Sequence, residues 1–126
     1  MKKFKTVEEC FIALGLDPNA LPNVSMLPEK HQQAIINHYK LIIVCEAHNE
    51  GWIPDWTNHN QVKYYPWFVV NKDANKPSGG GLASYDYDSW RTGTDVGSRL
   101  CLSSSELAEY VGETFLDLYD GYFLYN

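Results

Sequence analysis

Residues 52–102 separate two stretches in which apolar residues recur at helical spacing, and they differ from both: Pro, Gly and aromatic residues replace helix formers and the apolar period falls toward two. Such a chain is committed to a mixed architecture. The flanking helices need a surface to pack on, and a short region of alternating runs broken by turn residues supplies an antiparallel one. We therefore expect an α+β fold in one domain, residues 1–126, with a small antiparallel sheet of about three strands. Against it should pack a long central helix, a C-terminal helix and a short N-terminal helix. At 126 residues, two separate cores would each be marginal.

Thr6 and Glu9 have capping-box spacing, and Val7, Cys10, Phe11 and Leu14 follow on one face, which predicts a helix over 7–14 stopped by Gly15. The linker 16–27 carries Pro18 and Pro22, which forbid continued helix, and its Leu21, Val24, Met26 and Leu27 should pack on the core. Pro28 opens the long helix and Gly51 supplies the left-handed residue that closes it. Strands are expected over 61–70, 81–88 and 96–102, with Pro66 marking an edge or a bulge and the polar, glycine-rich 71–80 forming a mobile loop. Ser103 with Glu106 makes a second capping box, followed by Leu107, Val111, Phe115 and Leu118, with Gly121 as the stop. The tail 122–126 is too apolar to hang in solvent. It should dock on the domain or on a second chain, which is a route to a homo-oligomer.

Net charge is −6, and most of the excess sits in the last 24 residues, which carry five acids and no base. This balance argues against direct nucleic-acid binding, which needs clustered Lys or Arg to displace phosphate counterions. Three widely spaced cysteines in apolar company read as buried free thiols in a reducing, cytoplasmic setting. The basic start is followed by no apolar run of signal-peptide form, and the longest apolar run, 41–45, is far too short to span a bilayer.

The aromatic segment is the main functional lead. Trp52, Trp56, Tyr64, Tyr65, Trp67 and Phe68 fall within 17 residues, and Tyr85, Tyr87 and Trp90 follow. On a strand Tyr64 and Phe68 share one face and Tyr65 and Trp67 the other, so one set can face outward. Trp56, Tyr65, Trp67, Tyr85 and Trp90 would then supply contact area, with Arg91 and Arg99 supplying charge, to a nucleotide- or sugar-like small molecule or a protein partner. The plainer reading is that these rings fill the core. The two arginines would then pair with Asp86, Asp88 or Asp95.

A second surface is the acidic stripe Glu106, Glu109, Glu113, Asp117 and Asp120, which could meet a basic host protein as an inhibitor or nucleic-acid mimic, or simply be a solvated helix face. Other chemistry is poorly supported. Gly79, Gly80 and Gly81 lack the Lys-Ser or Lys-Thr and the following helix of a phosphate loop. His31, His38, Cys45 and His48 lie along one helix face at steps too long to share an ion, leaving Cys45, His48 and His59 as the conceivable ligands. Ser98 and Ser103 to Ser105 have no nucleophile-elbow context, and Cys45 and Cys101 have apolar neighbours that raise a thiol pKa. No motif calls for a cofactor or metal, and an enzyme is the third reading after the two binding modes.

The strings Glu50-Gly51-Trp52-Ile53-Pro54-Asp55-Trp56, Lys63-Tyr64-Tyr65-Pro66-Trp67-Phe68, Gly97-Ser98-Arg99-Leu100-Cys101 and Ser105-Glu106-Leu107-Ala108-Glu109-Tyr110 resemble a family of small uncharacterised proteins encoded by phages and prophages of gut bacteria. The likeness covers about residues 46–119. It implies a biological setting, with no activity or site residues attached.

Overall fold

A computed structural model describes residues 3–125; Met1, Lys2 and Asn126, the ends of the expected basic start and apolar tail, lie outside them. The chain is α+β. Helix α1 (Val7–Ala13) starts where Thr6 Oγ1 accepts the Glu9 N–H at 3.2 Å, and Glu9 reaches back to the Lys5 N–H at 2.9 Å. Helix α2 (Glu29–Asn49) follows Pro28 and ends with two left-handed residues, Glu50 at φ 48° and Gly51 at φ 89°. No helix among the described residues is long and apolar enough to cross a membrane.

Strands β1 (Lys63–Lys72) and β2 (Gly80–Trp90) form an antiparallel hairpin, β1 shifted two residues from the expected span and β2 longer at both ends, so the 71–80 loop contracts to the turn between Lys72 and Gly80. That turn is tied down. Lys76 pairs with Asp120 at 3.4 Å, and the Ser78 N–H donates to the Tyr125 carbonyl at 2.9 Å. The ladder slips between Trp67 and Phe68, where Trp67 faces Asp86 and Phe68 faces Ser84, leaving Tyr85 as the extra residue of a β-bulge.

The third strand expected over 96–102 is reduced to one antiparallel rung, in which Tyr64 and Leu102 exchange both hydrogen bonds at 3.1 and 2.8 Å. Thr94 Oγ1 captures the N–H groups of Val96 and Gly97, Gly97 turns at φ 76°, and residues Ser98–Leu100 coil into a single 3-10 turn. The segment 101–103 carries this rung. The Asn49 amide clamps it from the α2 side, donating to the Cys101 carbonyl at 2.9 Å and accepting the Ser103 N–H at 3.0 Å. Because Tyr64 spends its N–H on Leu102, Pro66, two residues on, also faces away from β2, and its missing donor costs the hairpin nothing.

The C-terminal helix is broken in two, α3 (Ser105–Thr114) and α4 (Leu116–Phe123), at Phe115 with φ −111° and ψ 28°. Its cap is Ser104, whose hydroxyl accepts the Leu107 N–H; Ser103, the expected cap, is committed to Asn49. Gly121 is no stop. It lies inside α4, where a Cβ would run into the Asn37 amide of α2. Gly112 plays the same part on α3, with an added Cβ only 2.8 Å from Pro66 of β1.

The layers run from hairpin to α3 and α4, then to α2, with α1 on the far half of α2. Phe11, Leu41, Val44, Cys45, Leu107, Val111, Phe115 and Tyr119 fill the interior. The linker behaves otherwise than expected: Leu21, Met26 and Leu27 stand exposed, Met26 almost wholly. The tail packs on its own chain, with Tyr122 stacked on His38 at 4.5 Å between ring centroids.

Candidate functional site

The hairpin divides its side chains by register. Tyr64, Pro66 and Phe68 face the helices: Phe68 meets Tyr119 at 5.0 Å and Tyr64 meets Tyr87 at 5.5 Å. Tyr65 and Trp67 face out, opposite Asp88 and Asp86. Of the outward rings, Tyr65 is consumed structurally. It stacks on Trp90 at 3.7 Å with 17° between planes, and burial followed by the neighbouring Asp88 pushes its phenol up from the ordinary value.

Trp67 and Tyr85 are the hairpin rings most open to solvent, 45% and 68% exposed, with Tyr87, opposite Pro66, at 37%. The bulge brings them together, because the extra residue Tyr85 shares the Trp67 position, and their rings meet at 5.3 Å and 62°. They form an open corner.

Beside this corner the face is acidic. Asp86 and Asp88 are exposed, and each accepts the N–H of the next residue, Tyr87 at 2.8 Å and Ser89 at 2.7 Å. These N–H groups point away from β1, as the Tyr64 bridge shows, so the carboxylates cap the free edge of β2; Asp120 does the same for the Leu82 N–H at 2.8 Å.

The other expected site residues lie apart. Trp56 donates from Nε1 to Ser98 Oγ at 2.7 Å, and its ring covers the ammonium of Lys63 at 5.2 Å. Lys63 is fully buried, and its three donors go to the carbonyls of Asp55, Asn58 and Arg91 at 2.5, 3.1 and 2.7 Å. This lysine ties the 53–62 loop to the end of β2, and no sequence signal beyond its place at the start of an apolar strand marks it. Arg91 is exposed, with Nη1 donating to the His59 carbonyl at 3.0 Å. Arg99 lies with Ile42, Trp52, Ile53 and Pro54 in a separate open groove of about 310 Å³, away from the outward rings. Among the described residues neither guanidinium is ion-paired with a carboxylate.

The acidic stripe is also divided. Glu106, Glu109, Glu113 and Asp117 are exposed on α3 and α4, whereas Asp120 turns inward to Lys76 and Leu82.

Among the described residues no group of three His, Cys, Asp or Glu is placed to hold a metal. His48 is a buried neutral imidazole: Nε2 accepts the Phe4 N–H at 3.0 Å, so Nδ1 carries the proton that it donates to the Val44 carbonyl at 2.8 Å. Burial lowers its pKa. The thiols of Cys10, Cys45 and Cys101 are unbridged, and burial pushes them up to about 12, about 12 and about 11. Thiols so raised are poor nucleophiles at neutral pH. Compared with family models, curated proteins and solved structures, the chain gives no match to any of the three.

Proposed function

We propose that this chain is a non-catalytic binding protein of phage or prophage origin, working in the host cytoplasm, that meets a protein partner through the outward face of its hairpin. The observation that carries the reading is the exposure of Trp67 and Tyr85 as a contacting pair, in a hairpin whose other aromatic residues, Tyr87 apart, are buried or half-buried. Large rings held in fixed positions bring contact area at little cost in conformational entropy, which is why they dominate binding surfaces. The partner is a macromolecule rather than a nucleotide or free sugar, because small-molecule sites enclose most of their ligand. Three open grooves lie elsewhere, one of about 690 Å³ between α2, α4 and the tail. With the β2 edge capped by carboxylates, the contact is made by side chains and not by strand addition. Three buried, unbridged thiols fit a reducing compartment.

One observation favours a second reading: Glu106, Glu109, Glu113 and Asp117 stand in solvent, as a helix directed at a basic protein requires. Site-specific photo-crosslinking separates the two. A crosslinker at position 85 should capture a host protein, and Trp67→Ala should abolish that capture without lowering Tm. Capture from position 109 that is indifferent to Trp67→Ala would instead support the acidic helix.

A further inference from the structure

Resting on the reading of the hairpin face as the binding surface, we infer that the partner group seated against Trp67 and Tyr85 is the cationic end of a lysine or arginine side chain. Three observations converge on that chemistry. The corner is an edge-to-face pair of exposed rings with planes at 62°, and the face of an exposed ring attracts a cation through its quadrupole. The charges next to it are negative: Asp86 pairs with Trp67 across the strands and Asp88 with Tyr65, each accepting a backbone N–H, with Asp88 also accepting the Tyr65 phenol.

Among the described residues no cation is ion-paired with Asp86 or Asp88. Lys63 is enclosed by carbonyls, Arg91 donates to His59, and Arg99 lies in another groove. Like charge therefore turns away a phosphate or carboxylate approaching the corner, and opposite charge draws an ammonium or guanidinium. The molecule already uses the same pairing internally. Lys63 sits 5.2 Å from the Trp56 ring centre beside oxygen acceptors, and Lys3 lies 5.1 Å from that of Tyr110.

The test is a titration of the intact chain, read at the Trp67 indole N–H resonance, with short oligoarginine and oligolysine peptides and with oligocitrulline as the neutral isostere. We expect saturable shifts at Trp67 with the cationic peptides and at least about tenfold weaker binding of oligocitrulline. Affinity should also fall several-fold between about 20 and about 200 mM salt. Asp86→Asn with Asp88→Asn keeps the oxygens that cap Tyr87 and Ser89, so the fold should survive while cation affinity drops about tenfold. Glu109→Gln with Glu113→Gln should leave it unchanged. Equal binding of oligocitrulline at Trp67 overturns the cation inference yet leaves the face as a binding surface. Peptide binding that survives Trp67→Ala but disappears with the Glu109 and Glu113 changes overturns both. Silence at Trp67 with every peptide overturns the inference, and the crosslinking experiment then decides the face by itself.

Discussion

Lys63 shows how much one side chain can organise. A buried ammonium is tolerable only when every donor is met, and here three carbonyls from two separate segments meet it, with the Trp56 ring closing the remaining side. Lys63→Met keeps the bulk of the stem but leaves three inward carbonyls without a donor. We expect a loss of about 3 kcal/mol or more in urea unfolding, with faster amide exchange over 53–62. His48 is the second such residue. Its pKa in the folded chain lies below 6.5, so as pH falls the unfolded state takes up the proton first. The stability it contributes is complete above about 6.5 and declines below that value, because a proton on Nε2 would end the bond from Phe4. His38, lowered by burial against Tyr122, adds to the same slope. Urea midpoints measured from about pH 7.5 to about pH 5 should fall, and His48→Gln should flatten part of the decline.

The break at Phe115 is what gives the helical elements their reach. By ending α3 there, the chain sends α4 in a new direction, which brings Tyr119 against Cys45 and Phe68 and brings Asp120 to the β2 edge. Close contact between elements is then secured by lack of bulk. At Gly121, α4 touches the Asn37 amide, and Asn37 donates onward to the Leu118 carbonyl at 3.3 Å. Gly121→Ala should cost about 1–3 kcal/mol despite the better helix propensity of alanine, since overpacking outweighs a propensity gain of about 1 kcal/mol. Thermal unfolding of the variant checks the sign: a raised Tm would mean that α2 and α4 can part without loss. At the end of α2, Glu50 occupies the left-handed region without being glycine, so Glu50→Gly should stabilise the chain by a few tenths to about 1 kcal/mol in the same assay.

Taken whole, the molecule keeps stability and recognition on different residues. The corner of Trp67 and Tyr85 lies outside the core, so Trp67→Ser with Tyr85→Ser should shift the unfolding free energy by only about 1 kcal/mol while removing partner capture. A shift of several kcal/mol would mark the pair as structural.

What the sequence determined by itself was local. The Thr6 cap, the 21-residue α2 closed near Gly51, the two strands and the division of their rings between two faces all follow from spacing, turn residues and a period of two, which act between near neighbours. What the tertiary structure decided needed residues far apart in the chain. Asn49 clamps 101–103 and limits the third strand to one rung, Asn37 explains Gly121, and the carbonyl of Arg91 completes the enclosure of Lys63. The same holds for the candidate site, because Arg99 reads as a neighbour of the aromatic residues along the sequence yet the 3-10 turn that carries it places it in a groove beside Trp52. Spacing can say which face of a strand a ring occupies. Whether that face is covered depends on where every other element comes to rest.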